Sequence, residues 1–229
     1  MFFFDRIKNI KDTDRVLEIG PGADPHPRSD ILLELSYDST DEYHKQLGHS
    51  NPLVTDKKVV YYYGNKFPFG DKEFDYVICA HVLEHVPDVP AFLSEVFRVA
   101  KRGYFEYPTI YYEYLYNINA HKNVLKFENG ELKYMKKSHL PFNSFKPVQE
   151  MLLQSLQRGH VHHINNLITY YIEGYEWEKS FPCREVKNID EVTMENISLP
   201  WPPSNETPKY STAFLIKQLI KKVIPITKK

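Results

Sequence analysis

Two hydrophobic rhythms run along the chain. Short apolar-rich runs at 15–19, 31–35, 58–63, 74–80 and 103–107 predict five strands, buried on both faces as in a parallel sheet. Between them, Val89, Phe92, Leu93, Val96, Phe97 and Ala100 recur at helical spacing. Asp88 stands where it would cap that helix of 88–100, Pro90 fits its first turn, and Lys101, Arg102 and Gly103 are placed to end it. A strand following at once gives the βαβ rhythm of an α/β fold.

Outside this core the pattern changes. The opening segment to Asp14 predicts a short helix with Phe3, Phe4, Ile7 and Ile10 on one face, lying over a ligand or merely covering the sheet. After Pro108, tyrosines 111, 112, 114 and 116 crowd around Glu113 and His121. Val124–Phe127 and Leu132–Tyr134 then flank Asn129-Gly130, which predicts a hairpin with a type I′ turn. Residues 147–158 predict a helix with Val148, Met151, Leu152 and Ser155 on one side and Gly159 as its stop. Residues 166–181 read as two strands around Gly174, the prolines from Leu199 to Pro208 as an extended connection, and 214–229 as a basic amphipathic helix.

The first strand carries the chemistry. Val16, Leu17 and Ile19 lead into Gly20, Pro21 and Gly22, so a buried strand delivers backbone to a tight loop that a ligand can approach. Glu18 stands where its carboxylate could meet an amine. The second strand ends in Glu34, an acid placed to accept two ribose hydroxyls. Pro21, Pro25 and Pro27 oppose a helix after the glycines, so a helix dipole for phosphate is not expected.

The order of these blocks, followed by Phe67-Pro68-Phe69, Phe74-Asp75-Tyr76-Val77 and Glu84-His85-Val86, resembles the class I S-adenosylmethionine-dependent methyltransferases. The resemblance runs from about Val16 to Pro108. A fainter likeness continues through Tyr112-Glu113 and His121-Lys122, in the type 11-like subgroup whose first loop reads as Gly20 to Asp30 does. It implies a Rossmann-like sheet, with a hairpin and an α+β insertion after the fifth strand. It also implies S-adenosylmethionine as cofactor, held by Glu18, Gly20, Pro21, Gly22, Glu34, Ala80 and His81.

Relatives place an acid after the third strand to meet adenine. Here Tyr63-Gly64-Asn65 offers none, so Asn65 is expected in that role if the loop is one residue shorter, and Tyr63 otherwise. Phe69 is expected beside adenine, unless Phe67 and Phe69 simply fill core. An oxygen acceptor needs a base, and His81, His85 and His121 are the candidates. Glu84-His85 could instead brace its turn, and in certain quinone-type O-methyltransferases a related acidic and histidine cluster binds a divalent metal. No metal is expected here: His160, His162 and His163 have no nearby cysteine or carboxylate to complete a ligand set.

Composition narrows the rest. In 229 residues there is room for one enzyme-sized domain, with a core of 15–108 and an acceptor side of 109–229. A net charge of −1 gives no electrostatic case for nucleic acid. Two cysteines, Cys79 and Cys183, make no disulfide framework, so a reducing, cytoplasmic compartment is expected. No stretch approaches the ~20 apolar residues of a membrane span. The acceptor expected from the tyrosine-rich insertion is a small molecule or glycan, though those tyrosines would also suit a surface flap. A cofactor-binding regulatory or partner subunit without turnover is the alternative.

Overall fold

The computed structural model describes residues 1–36, 53–64, 66–160 and 162–194, with backbone alone for 162–166. Chain contacts divide it into units 1–193 and 194–229; of the second, only Met194 is described. The proline-rich connection and basic tail expected there lie outside the described residues, as does Asn65.

The main sheet contains β1 (Val16–Ile19), β2 (Ile31–Leu35), β3 (Lys58–Tyr62), β4 (Phe74–Ala80), β5 (Ala100–Pro108) and β8 (Ile172–Trp177), in the order β3-β2-β1-β4-β5-β8. The first five run parallel and β8 is antiparallel to β5. This is the doubly wound order in which the chain reverses direction beside β1, so a crevice opens at the C-terminal ends of β1 and β4. Leu17, Ile19, Leu33, Val77, Cys79 and Phe105 fill the core beneath it.

Helix α1 (Val89–Val99) covers one face, and Asp88 caps it by accepting from the Ala91 amide at 3.0 Å. It ends before Ala100, where β5 already begins, so Lys101, Arg102 and Gly103 are strand residues rather than a helix terminus. Gly103 is needed in the strand itself, since a Cβ there would meet the Val77 carbonyl oxygen at 2.4 Å.

The opening helix does not form beyond one 3₁₀ turn, Phe4–Arg6. Side-chain carboxylates take the amides that a helix would use: Phe2 and Phe3 donate to Glu106, and Lys8 and Asn9 to Glu176. Ile7 and Ile10 pack over Val16, Tyr76 and Tyr104, whereas Phe4 is half exposed.

Three further elements follow β5. The tyrosine-rich segment forms α2 (Ile110–Tyr116), a helix that its β-favouring residues conceal. Strands β6 (Asn123–Glu128) and β7 (Glu131–Lys136) form the expected hairpin, with positive φ at Asn129 and Gly130, and β9 (Cys183–Glu185) adds to β7. Helix α3 (Lys146–Gln157) shows a different face from the one predicted. Val148 and Met151 are exposed, and Gln149 is buried with its amide on the Tyr114 carbonyl.

Residues 166–181 are not two strands around Gly174. Helix α4 (His162–Tyr171) runs directly into β8, with Gly174 inside that strand. A Cβ at Gly174 would lie 2.2 Å from the Tyr104 hydroxyl, so the glycine makes room for a cross-strand neighbour and marks no turn.

Candidate active site

The ends of β1, β2 and β4 open on a cavity of about 1060 Å³. Gly20, Pro21 and Gly22 line it from β1, Leu33 and Glu34 from β2, and Ala80 and His81 from β4. Both glycines have positive φ, near 60°. Gly20 is also sterically fixed, because a Cβ there would meet Val82 Cγ2 at 2.6 Å. At Gly22 the same position is open.

Glu34 is buried at the tip of β2. One carboxylate oxygen takes the Leu35 amide at 3.0 Å, and Oε2 accepts no hydrogen bond among the described residues. Burial pushes its pKa up to about 7, against the small lowering from that amide.

Glu18 does not line the cavity as expected. Its Oε2 accepts from the His26 amide at 2.8 Å and the Ser29 hydroxyl at 2.6 Å, so it braces the loop that the glycines begin. The loop folds back over the strand end, and a buried carboxylate there finds its donors in the loop's own backbone. Phe69 follows the core-filling alternative: it packs edge-on against Phe74, and Phe67 lines the cavity. Tyr63, the ungapped choice for the adenine-facing position, is 72% exposed.

The three candidate histidines line the same cavity with Glu84, and two further buried acids, Glu106 and Glu113, hold His81 and His121; of these acids only Glu106 was missed in the sequence. His81 adopts a left-handed backbone, φ 58°, which is uncommon for a non-glycine residue. Its Nε2 lies 3.0 Å from Glu106 and its Nδ1 3.5 Å from Glu84. Burial alone would lower its pKa, but the two carboxylates outweigh that and raise it. Glu106 also holds the Phe2 and Phe3 amides, which draws Met1 and Phe2 to the cavity rim.

His85 and His121 come from segments 36 residues apart in sequence, yet their rings meet edge to face at 4.6 Å. Asn123 joins those segments. Its amide nitrogen donates to the Leu83 and Val86 carbonyls, while the Lys122 and Asn123 backbone amides donate to the Glu84 carbonyl. His121 Nδ1 is bound to the carboxylate of Glu113, on the buried side of α2. Burial would raise the Glu84 carboxyl, but the surrounding histidines hold it down to about 2. Glu84 and Glu113 stood beside candidate histidines in the sequence, whereas the signal for Glu106 was its place as an acid inside the apolar run 103–107.

A family model described as a methyltransferase domain matches residues 32–105. No curated protein matches the chain. Among solved structures, a SAM-dependent methyltransferase from Aquifex aeolicus is 20% identical, with 42% of this chain and 57% of that one covered and a TM-score of 0.29. For an S-adenosylmethionine-dependent methyltransferase from Mesorhizobium loti the values are 11%, 71%, 89% and 0.37. The chain spans about half the length of several solved structures that it matches. No helix among the described residues is long and apolar enough to cross a membrane. Glycine loop, acid-tipped second strand and matched segment converge: residues 32–105 match a methyltransferase domain, and the sheet that contains them has the Rossmann-like strand order of class I S-adenosylmethionine-dependent methyltransferases.

Proposed function

We propose that the protein transfers a methyl group to a hydroxyl oxygen of a small molecule or glycan. One observation carries this reading: a single cavity joins the glycine loop and Glu34 to Tyr112, His85 and His121. The residues present fit the cofactor. Glu34 Oε2 is a buried acceptor without a donor among the described residues, as a ribose hydroxyl requires, and Gly22 leaves its side of the loop open. When bound, S-adenosylmethionine supplies an electrophilic methyl group on sulfur.

The chain's own residues then position the acceptor. Transfer to a good electrophile needs alignment more than activation, together with removal of a proton when the acceptor is a hydroxyl. His81 has a carboxylate near each ring nitrogen, which suits it to holding the cavity wall rather than taking a proton. His85 and His121 are better placed at the acceptor end, where Tyr112 offers an aromatic face and a hydroxyl.

The test is calorimetric binding of S-adenosylhomocysteine, followed by a turnover screen over polyhydroxylated, phenolic and amine acceptors. Binding with turnover on a hydroxyl is expected, and His85→Ala or His121→Ala should lower that turnover by about 10²–10⁴-fold with cofactor binding kept. Turnover on amines alone would reject the oxygen assignment, and absent cofactor binding would reject the enzyme.

A further inference from the structure

The turn after β4 contains a wholly buried carboxylate, Glu84, neither of whose oxygens accepts a hydrogen bond among the described residues. Its nearest histidine nitrogens stand off, with His81 Nδ1 at 3.5 Å and His85 Nε2 at 3.9 Å from Oε1. A buried carboxylate so short of donors is costly unless a cation meets it. One ligand atom each from Glu84, His85 and His121 lies within 4.8 Å of the other two. Around a four-coordinate ion with bonds of ~2.0–2.2 Å, ligand atoms stand roughly 3.3 Å apart, so adjustments of about 1 Å close the set.

Both rings are already presented for this purpose. His85 Nδ1 lies 3.2 Å from the Ala120 carbonyl oxygen, which can only accept, so Nδ1 carries the hydrogen and Nε2 keeps its lone pair. His121 Nδ1 is held by Glu113, itself paired with Lys137 at 2.7 Å, leaving Nε2 as the ligand. A carbonyl or carboxylate on the far nitrogen is the usual support of a metal-binding histidine.

We propose that Glu84, His85 and His121 bind one divalent first-row transition ion of the zinc class at the acceptor end of the cavity. Two imidazoles favour such an ion over magnesium or calcium. Three protein ligands leave a position for water or an acceptor hydroxyl, whose proton the ion would make more acidic. The binding site stands on ligand geometry; only its role in transfer rests on the methyltransferase reading.

The experiment titrates tag-free, metal-stripped full-length protein with Zn²⁺ and, separately, with Co²⁺, and measures S-adenosylhomocysteine affinity on the same samples. Expected are one equivalent of Zn²⁺ and the visible absorption of a low-coordinate Co²⁺ site. His85→Ala and His121→Ala should each weaken Zn²⁺ binding by ~100-fold or more, and Glu113→Gln by ~10–100-fold. A variant with His160, His162 and His163 all changed to Ala should bind as the wild type does. Failure of the wild type to take up one equivalent overturns the proposal, as does unchanged affinity in a folded His121→Ala protein or loss of binding in the triple variant. If a single variant does not fold, wild-type stoichiometry and the Co²⁺ spectrum still decide. Metal uptake without cofactor binding would reject the enzyme reading and leave the metal site standing.

Discussion

Replacing Glu34 with Gln should change how stability depends on pH. The carboxyl is 5% exposed, and its pKa is pushed by burial from 4.5 to about 7 in the free protein. A raised carboxyl pKa means that the folded state holds the proton more tightly than the unfolded chain does. Its contribution is therefore fully present below about pH 4.5 and lost as pH rises through about 7. At about 1.4 kcal/mol per pH unit the whole loss is about 3 kcal/mol, most of which falls between pH 5 and pH 8. Urea unfolding of wild type and Glu34→Gln across that range isolates the effect, since any fixed cost of the amide cancels between pH values. The wild type should lose about 2–3 kcal/mol more than the variant over the range. S-adenosylhomocysteine should bind the wild type more tightly as pH rises toward 7 and then level off, because the ionised acid is the better acceptor. In Glu34→Gln binding should be weaker by about 1.5–3 kcal/mol above pH 7 and flat with pH in this range. Parallel stability curves for the two proteins would refute the reasoning.

Two further substitutions probe the loop after β1. Gly20→Ala places a methyl 2.6 Å from Val82 Cγ2 at a positive φ, so thermal unfolding should come several degrees lower; Val82→Ala in the same chain should recover the steric part and leave a backbone cost of about 1–2 kcal/mol. Glu18→Ala removes the acceptor of the His26 amide and Ser29 hydroxyl, and calorimetry should show weaker S-adenosylhomocysteine binding through a loosened loop, with Ser29→Ala giving a smaller effect of about 1 kcal/mol.

The buried runs of β1, β2 and β4, the cap at Asp88, the Asn129-Gly130 turn and the glycine loop were legible because each is decided by neighbours a few residues away. The sequence therefore determined the α/β core and the glycine loop at the end of its first strand. It misread segments whose backbone is satisfied from afar. Residues 1–14 look helical, but Glu106 and Glu176 take their amides, and Gly174 looks like a turn, but it makes space for Tyr104. Glu18 stood at the right place in sequence and turned to other partners, His26 and Ser29. Only the tertiary structure decided the cluster of histidines and acids. Glu84 and His85 follow β4, Glu113 lies on α2 and His121 comes after it, and the Asn123 clasp brings them around one point. Local periodicity records which face of an element is buried; it does not record which distant charges will share that burial, because that pairing exists only once the chain has closed on itself.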